Sequence, residues 1–561
     1  MLLAILSFVG SLSLSHAINW KSVNILVTTD THSWLAGHRH ADHYPKSDVT
    51  LGAFYSFLGH MKSISNSKML DLFVVDNGDV VDGGGLSNAT PEDGEALFPI
   101  IKSFPYDALN IGNHELYTSA TVNSIKTSLY IEHWNGSFLT SNTKYSDSGL
   151  NMGSRFNILV GQYGTRLLTF GFLYNMRDHC SDVTVEKVEE VVEEKWFTNA
   201  LLNENYDAIL VLAHMHLTDP LVTIILNKIR EMKGSYVVVQ FITGHSHIRG
   251  FSSLDPFASS FEAGKFLDTI GFVSFNLNHF DEKAPSLLAV ESGVSSAQVA
   301  PAQFHWYYIN ANKQELARLV NISLDSFDTV EGQRIDREIE RTRDSLGLDE
   351  VLGCSPIHYE TEALLSLPTS LWSLYLNHVV PFYLFSPAQN PRQALVESTG
   401  SFRYDLYDGP VTVDDIWTMT PFADSYYVFP AVPGDVLVQV IQALRSTAEK
   451  LPLLHAERRT PSRTNTLPPY VSLPPLNSIV LSTQYDLISV GFDLLTVRNA
   501  LAAVTHNVNV SYLRYRSRIN STSIWFPWAK EKLPTRCRVD GRNISGTTDN
   551  RGMRRRLRLN T

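Results

Sequence analysis

Cysteine is scarce: Cys180, Cys354 and Cys537 are the only three in 561 residues. They are far apart and odd in number, so at most one disulfide forms and no disulfide-stapled scaffold is implied. A dominant charge is also missing. The net charge of −11 is mildly acidic and argues against a wholesale nucleic-acid binder. After the opening "MLLAILSFVGSLSLSHA", no stretch reaches the ~18 apolar residues a membrane span needs. That opening run ends on small residues, Ser15 and Ala17, and reads as a secretory signal over residues 1–17 although it lacks Lys and Arg. The end, "RGMRRRLRLNT", is the opposite of the apolar tail required for a glycosylphosphatidylinositol anchor. The expectation is a soluble mature protein.

What is present fits a secretory route. Asn-x-Ser/Thr sequons stand at Asn88, Asn135, Asn321, Asn509, Asn520 and Asn543, and together they suit a glycosylated protein, secreted or in a vacuolar lumen. With 44% hydrophobic and 18% charged residues, the chain is globular material with enough length for two or more cored domains.

A pattern runs through the first half. "NILVTTDTH" breaks at Asp30 and His32, "LFVVDNGD" ends at Asp79, and "YDALNIGNHE" ends at Asn113, His114 and Glu115. "DAILVLAHMH" ends at His214, and "VVVQFITGHSH" ends at His245 and His247. Each short apolar run hands over to Asp, Asn or His at its C-terminal end. Helical spacing in "GAFYSFLGHMKSI" and in "VTVEKVEEVVEEKWFTNALL" separates the runs. Alternating strands and helices predict an α/β layered domain whose strand ends converge on one edge.

Asp30, His32, Asp79, Asn113, His214, His245 and His247 mix hard oxygen ligands with imidazoles and include no cysteine. That set suits Mn, Zn, Fe or Co rather than a structural zinc. Seven ligands are too many for one ion and right for two divalent ions sharing a carboxylate. Two such ions can clamp the attacking and leaving oxygens of a displacement at phosphorus.

The blocks "DTH", "NGD", "GNHE", "AHMH" and "GHSH", in this order, resemble the signature of the calcineurin-like metallophosphoesterases. The whole chain resembles their two-domain 5'-nucleotidase branch. The resemblance implies a four-layer α/β/β/α catalytic domain followed by a smaller α+β domain. It also implies that Asp30, His32 and His247 hold one metal, that Asn113, His214 and His245 hold the other, and that Asp79 bridges them, with a bridging hydroxide as nucleophile. His114 resembles the histidine that stabilises developing charge or protonates the leaving oxygen. In that branch this histidine is usually paired with an Asp three positions on, where this chain has Tyr117. His216 reads as an outer residue, and His38, His40 and His43 as solvated loop residues, substrate-facing at most. Glu115 and Asp82 read as supporting groups, and the glycine-rich "VDGGGLSNATPEDGE" as a flexible loop.

After residue 300 the character changes. The expected organisation is a catalytic domain over 20–310, a charged linker helix over 311–345, a nucleotide-recognition domain over 346–534 and a basic disordered tail over 535–561. "STGSFR" resembles the family's substrate-binding block, with Arg403 at its arginine, and "TPFADS" places Phe422 at an aromatic that stacks on the nucleobase. The glycines of the family's later aromatic loop are absent from "YDLISVGFDLLTV", so no second stacking aromatic is assigned. The Pro-rich "ERRTPSRTNTLPPYVSLPPL" reads as a surface loop. The reading is a two-metal phosphoesterase acting on a small phosphate ester, foremost nucleoside 5'-monophosphates. Nucleotide sugars or nucleoside diphosphates, cyclic nucleotides and non-nucleotide phosphomonoesters are the alternative substrates. A catalytically silent binding protein on the same scaffold is the alternative from another class. Neither nucleic acid nor a membrane span is implied.

Overall fold

The computed structural model of the chain describes residues 18–39, 47–277, 301–385, 392–450, 467–539 and 542–545. The expected signal segment, His40, His43 and most of the basic tail lie outside the described residues.

Strand Val23–Thr28 is buried along its whole length. Val, Ile and Leu on both faces predict this, because a parallel strand covered on both sides reads as a continuous apolar run. It pairs in parallel with Asp71–Asp76, which is followed in the sheet by Ala108–Asn110 and Phe138–Leu139. Antiparallel strands Thr269–Phe275 and His305–Asn310 complete a six-stranded sheet on the other side. A second six-stranded sheet has parallel strands Arg166–Leu173, Ala208–His214 and Val239–Thr243 at its centre.

Val23, Ile25, Val27, Phe73 and Val75 of the first sheet share a core with Leu167, Leu210, Leu212 and Ile242 of the second. Helix Leu51–Lys68, capped by the Thr50 hydroxyl on Ala53 N at 3.0 Å, covers the outer face of the first sheet. Helices Lys195–Asn203 and Pro220–Lys233 cover the outer face of the second. The four layers are therefore α/β/β/α. Each large aliphatic side chain buried between them contributes ~1.5–3 kcal/mol.

The second domain is smaller and α+β. Its five-stranded sheet runs in the order 470–473, 393–398, 484–490, 425–433, 513–520. Trp372, Tyr375 and Trp525 pack on one face, and helices Gly434–Lys450 and Leu494–Thr505 lie on the other.

Several segments differ from their sequence reading. Val183–Val185 is a short strand paired with Thr143–Tyr145, and helix begins only at Val188, because alternating β-branched residues favour the strand. The charged segment read as a linker is two helices, Lys313–Leu319 and Val330–Ser345, that belong to the first core through Leu316, Ile335 and Ile339. Charge on its outer face masked an apolar stripe. The Pro-rich segment contributes Tyr470–Leu473, a strand with Val471 fully buried. The start of the basic tail is ordered, for Cys537 lies in strand Arg536–Val539 and is disulfide-bonded to Cys354, with Cα atoms 5.3 Å apart. Asn88 is 6% exposed and donates to Asp82 Oδ1 at 2.9 Å, so this sequon is built into the protein interior.

Candidate metal centre

The loops after the parallel strands are laced together at one edge. Asp30 N donates to Gly78 O at 2.9 Å, His32 N to Asp79 O at 3.0 Å, and Ser33 N to Val80 O at 2.7 Å. This side-by-side pairing sets Asp30 and His32 next to Asp79. Asp30, His32, Asp79, His245 and His247 all have left-handed φ, between 45° and 73°. Such a backbone costs non-glycine residues of the order of 1–2 kcal/mol each, and this concentration marks the edge as functional. The neighbouring glycines leave no room for side chains. A Cβ at Gly112 would lie 2.1 Å from Asp79 Oδ1.

Asp79 occupies the middle. Its Oδ1 accepts the His114 backbone N–H at 2.9 Å, while its Oδ2 lies 3.0 Å from His214 Nε2, 3.9 Å from His32 Nε2 and 4.0 Å from His114 Nε2. Three triads of ligand-type atoms meet around it, Asp30 with His32 and His247, Asp79 with His214 and His245, and Asp79 with His32 and His114, each within 4.8 Å. His32 Nδ1–H donates to Val81 O and His214 Nδ1–H to Asn77 O, both at 2.7 Å. Each carbonyl fixes the tautomer that turns the Nε2 lone pair into the site. Asn113 donates from Nδ2 to Tyr117 Oη at 3.0 Å, and its buried Oδ1 has no hydrogen-bond partner among the described residues. These His/Asp clusters fit a dinuclear metal site, and an orphaned buried oxygen at its edge is what a ligand position leaves behind.

Burial would lower the His214 pKa, but Asp79 and Asp30 raise it to about 10, whereas the electrostatics of Asp79 and His32 agree with ligation. Burial would raise the Asp79 carboxyl, but His214, His114 and His32 hold it well below the usual carboxylate range. Burial, reinforced by His114 and His247, pushes His32 well below the usual imidazole range. Carboxylate and neutral imidazole are the forms that bind metal.

A supporting layer positions these loops. Glu115 accepts from Asp79 N at 3.0 Å, Val80 N at 2.7 Å and Gly112 N at 2.8 Å, tying two ligand loops together. Glu262 accepts from Ser246 Oγ at 2.8 and 2.7 Å and from Ile248 N at 3.2 Å, which fixes the Gly244–His247 turn. His216 is half-buried, and its Nδ1 accepts from Thr218 N at 3.1 Å.

The second domain reaches into this edge. Arg403 Nη2 donates to His114 Nε2 at 2.8 Å, the Phe422 ring stacks near His114 with centroids 5.9 Å apart, and Arg403 lies over Phe422 at 5.0 Å. His114 Nδ1 lies 2.9 Å from Asp82 Oδ2. Burial would lower the His114 pKa, but Asp79 and Asp82 raise it. The glycine-rich loop that carries Asp82 is not the flexible loop its composition suggests. It is packed under His32 and against Leu348 and Asp414 of the interdomain region, where a Cβ at Gly83 or Gly85 would meet atoms at 2.4 Å. His38 is not solvated either, since Nε2–H donates to Phe266 O at 2.8 Å and the ring stacks on Trp34 at 4.3 Å. Tyr485, retained from the family's later loop, is buried, whereas Phe492 on the following turn is 65% exposed.

Comparison with known proteins follows the same division. Residues 23–249 match the family model for calcineurin-like phosphoesterases, and residues 359–480 match that for the C-terminal domain of NAD nucleotidase. An uncharacterized protein of Schizosaccharomyces pombe is 31% identical over 430 residues, covering 74% of this chain and 71% of the relative. A protein of Arthroderma benhamiae named only as secreted is 27% identical over 460 residues, covering 76% of this chain and 68% of its own. The crystal structure of a Candida albicans 5'-nucleotidase superposes with a TM-score of 0.80 at 25% identity, covering 92% of this chain and 98% of the other. The chain belongs to the calcineurin-like phosphoesterases, a class of metal-dependent phosphoester hydrolases. Within that class it has the two-domain architecture of the 5'-nucleotidases.

Proposed function

We propose that this hydrolase removes phosphate from nucleoside 5'-monophosphates. The observation that carries the reading is the seating of Arg403 and Phe422 against His114: the second domain delivers a guanidinium and an aromatic face to the edge where Asp79 gathers its histidines. A guanidinium binds phosphate oxygens with directional hydrogen bonds. Stacking on an aromatic ring contributes ~1–3 kcal/mol per base.

In this reading Asp30, His32 and His247 hold one ion, Asn113, His214 and His245 hold the other, and Asp79 spans both. Bound divalent ions supply Lewis acidity toward the phosphoryl oxygens and activate water. His114 faces the reacting phosphorus and stabilises its transition state, Arg403 orients the phosphate, and Phe422 carries the base. A nucleoside diphosphate ester is the second reading, favoured by the match of residues 359–480 to a domain of NAD nucleotidase. A secreted or vacuolar location is part of the proposal, supported by the secreted relative, the disulfide and the exposed sequons at Asn135, Asn321 and Asn509. No helix among the described residues is long and apolar enough to cross a membrane.

Phosphate release from a nucleoside monophosphate, a nucleotide sugar, a dinucleotide and a simple aryl phosphate, each with several added metals, tests the substrate class. Phe422→Ala should lower kcat/KM for the monophosphate by about tenfold, equivalent to ~1.4 kcal/mol of transition-state binding, and leave the aryl ester nearly unchanged. Equal losses on both would make Phe422 a packing residue and remove the basis for base recognition.

A further inference from the structure

We propose that Tyr404 is the positioning residue of Arg403, and that its ring does this by docking in an aromatic clasp of the first domain made of Trp34, His38 and Phe266. The inference rests on the phosphate-orienting role proposed for Arg403 and accounts for how a side chain of one domain is kept at the metal edge of the other.

An arginine side chain has many rotamers, so its guanidinium keeps one place only where contacts around it offset that freedom. Successive residues here have different destinations. Phe402 is buried in the core of the second domain, with its ring 4.3 Å from that of Trp372. Arg403 donates from its backbone N–H to Met419 O at 3.0 Å and from Nη2 to His114 Nε2 at 2.8 Å. Tyr404 crosses to the first domain, where its ring centroid lies 4.6 Å from Trp34 and 6.3 Å from both His38 and Phe266. Asp405 returns to its own domain, accepting from Thr361 N at 2.8 Å and from His358 Nε2–H at 3.0 Å. Arg403 is thus flanked by one anchor in each domain.

The clasp is continuous with the metal edge. Trp34 follows His32 on the loop after Val23–Thr28, and it stacks on His38 at 4.3 Å and on Phe266 at 5.2 Å. Phe266 and Leu267 both have left-handed φ, 55° and 49°. Such a backbone in successive non-glycine residues persists only where the surroundings over-determine it. Here Phe266 N donates to Asp30 O at 2.8 Å, and Phe266 O accepts from His38 Nε2–H at 2.8 Å. The Phe266 ring also meets those of His32 and His247 edge-on, at 5.7 and 5.6 Å. The surface on which Tyr404 rests is therefore fixed by the same residues that line the centre. Tyr404 Oη lies 3.4 Å from His38 Nδ1, longer than the usual hydrogen bond. Packing of the ring carries the dock, since aromatic pairs at these separations attract beyond the area they bury.

The test uses the full-length metal-loaded protein and phenyl phosphate, an ester without a base, which keeps it independent of nucleotide recognition. Tyr404→Ala removes the ring, Tyr404→Phe keeps it, and Trp34→Ala removes the surface it rests on. Tyr404→Ala should lower kcat/KM by about 10- to 100-fold, the range expected when a binding group is misplaced by ~1 Å, with metal content at wild-type level. Tyr404→Phe should stay within about twofold of wild type, and Trp34→Ala, with rates taken per metal-loaded chain, should reproduce the Tyr404→Ala loss. In an Arg403→Ala background Tyr404→Ala should cost less than about twofold more, because a ring that acts through the guanidinium has nothing left to position. Losses that multiply in the double variant, a Phe variant as slow as Ala, a Trp34→Ala variant at the wild-type rate, or a fall in metal content with Tyr404→Ala would overturn the proposal and leave Tyr404 a packing residue. If Arg403→Ala is as fast as wild type, the role of Arg403 falls and that of Tyr404 falls with it. A slow Arg403→Ala beside a fast Tyr404→Ala overturns the assignment of Tyr404 alone.

Discussion

At the residue scale the centre is organised by Asp79. One oxygen of its carboxylate is committed to the backbone N–H of His114, and the other faces His214, His32 and His114. A carboxylate shared by two ions stabilises both, so Asp79→Asn should lower bound metal and turnover together. A loss of metal affinity of at least about 10- to 100-fold is expected, the range seen when even outer partners of a metal site are removed. Metal analysis of the purified variant beside its kinetics checks this, and a fully metallated active variant would contradict the bridging role. The ligand-type residues were legible because each follows directly on a short apolar run, so its strand-end position can be read locally. Asp82 was not legible as the partner of His114. The two are 32 residues apart, and nothing in the local pattern says that the loop after one strand folds back onto the next. The nearest signal was a second aspartate in the loop that already held Asp79.

At the element scale, strands carry the site and loops aim it. Five of the parallel strands were evident from their apolar runs, but Arg166–Leu173 was not singled out, and Val183–Val185 and Tyr470–Leu473 were hidden in segments whose charge or proline content suggested helix and surface loop. Pairing across the chain decided both. The Cys354–Cys537 bridge was equally out of reach, because spacing among three cysteines does not select a pair. In the second domain, strand Gln393–Ser398 carries Glu397, fully buried beside Tyr375, whose hydroxyl donates to it at 2.9 Å. Burial, joined by the charges of Asp493 and Asp424, pushes the Glu397 carboxyl up from 4.5 to about 8. The folded state therefore keeps this proton to a higher pH than the unfolded chain. The contribution to stability is complete below about pH 4.5 and is lost as pH rises toward 8. Thermal unfolding should show the wild-type midpoint falling more between pH 5 and pH 8 than that of Glu397→Gln, which stays neutral throughout. Parallel pH profiles for the two proteins would contradict this burial of a neutral carboxyl.

At the scale of the whole molecule, function depends on how the second domain is held against the first. Arg343, at the end of helix Val330–Ser345, is buried and pairs with Asp414 and, at 2.7 Å, with Asp349. Asp414 Oδ1 also accepts from Gly85 N at 2.8 Å in the loop that carries Asp82. The ion-paired junction and the Arg403–His114 contact lie on the same interdomain surface, so the hydrolytic edge and the arm that reaches it form one assembly. The two-metal reading of this centre is tested most directly by phosphate release from a nucleoside 5'-monophosphate, measured on one preparation before chelation, after chelation and after return of a divalent metal, with bound metal counted at each stage. Two ions per chain, activity lost with them and restored with them, are the expected result. Undiminished release from the metal-free protein, or none from a chain carrying both ions, would contradict it.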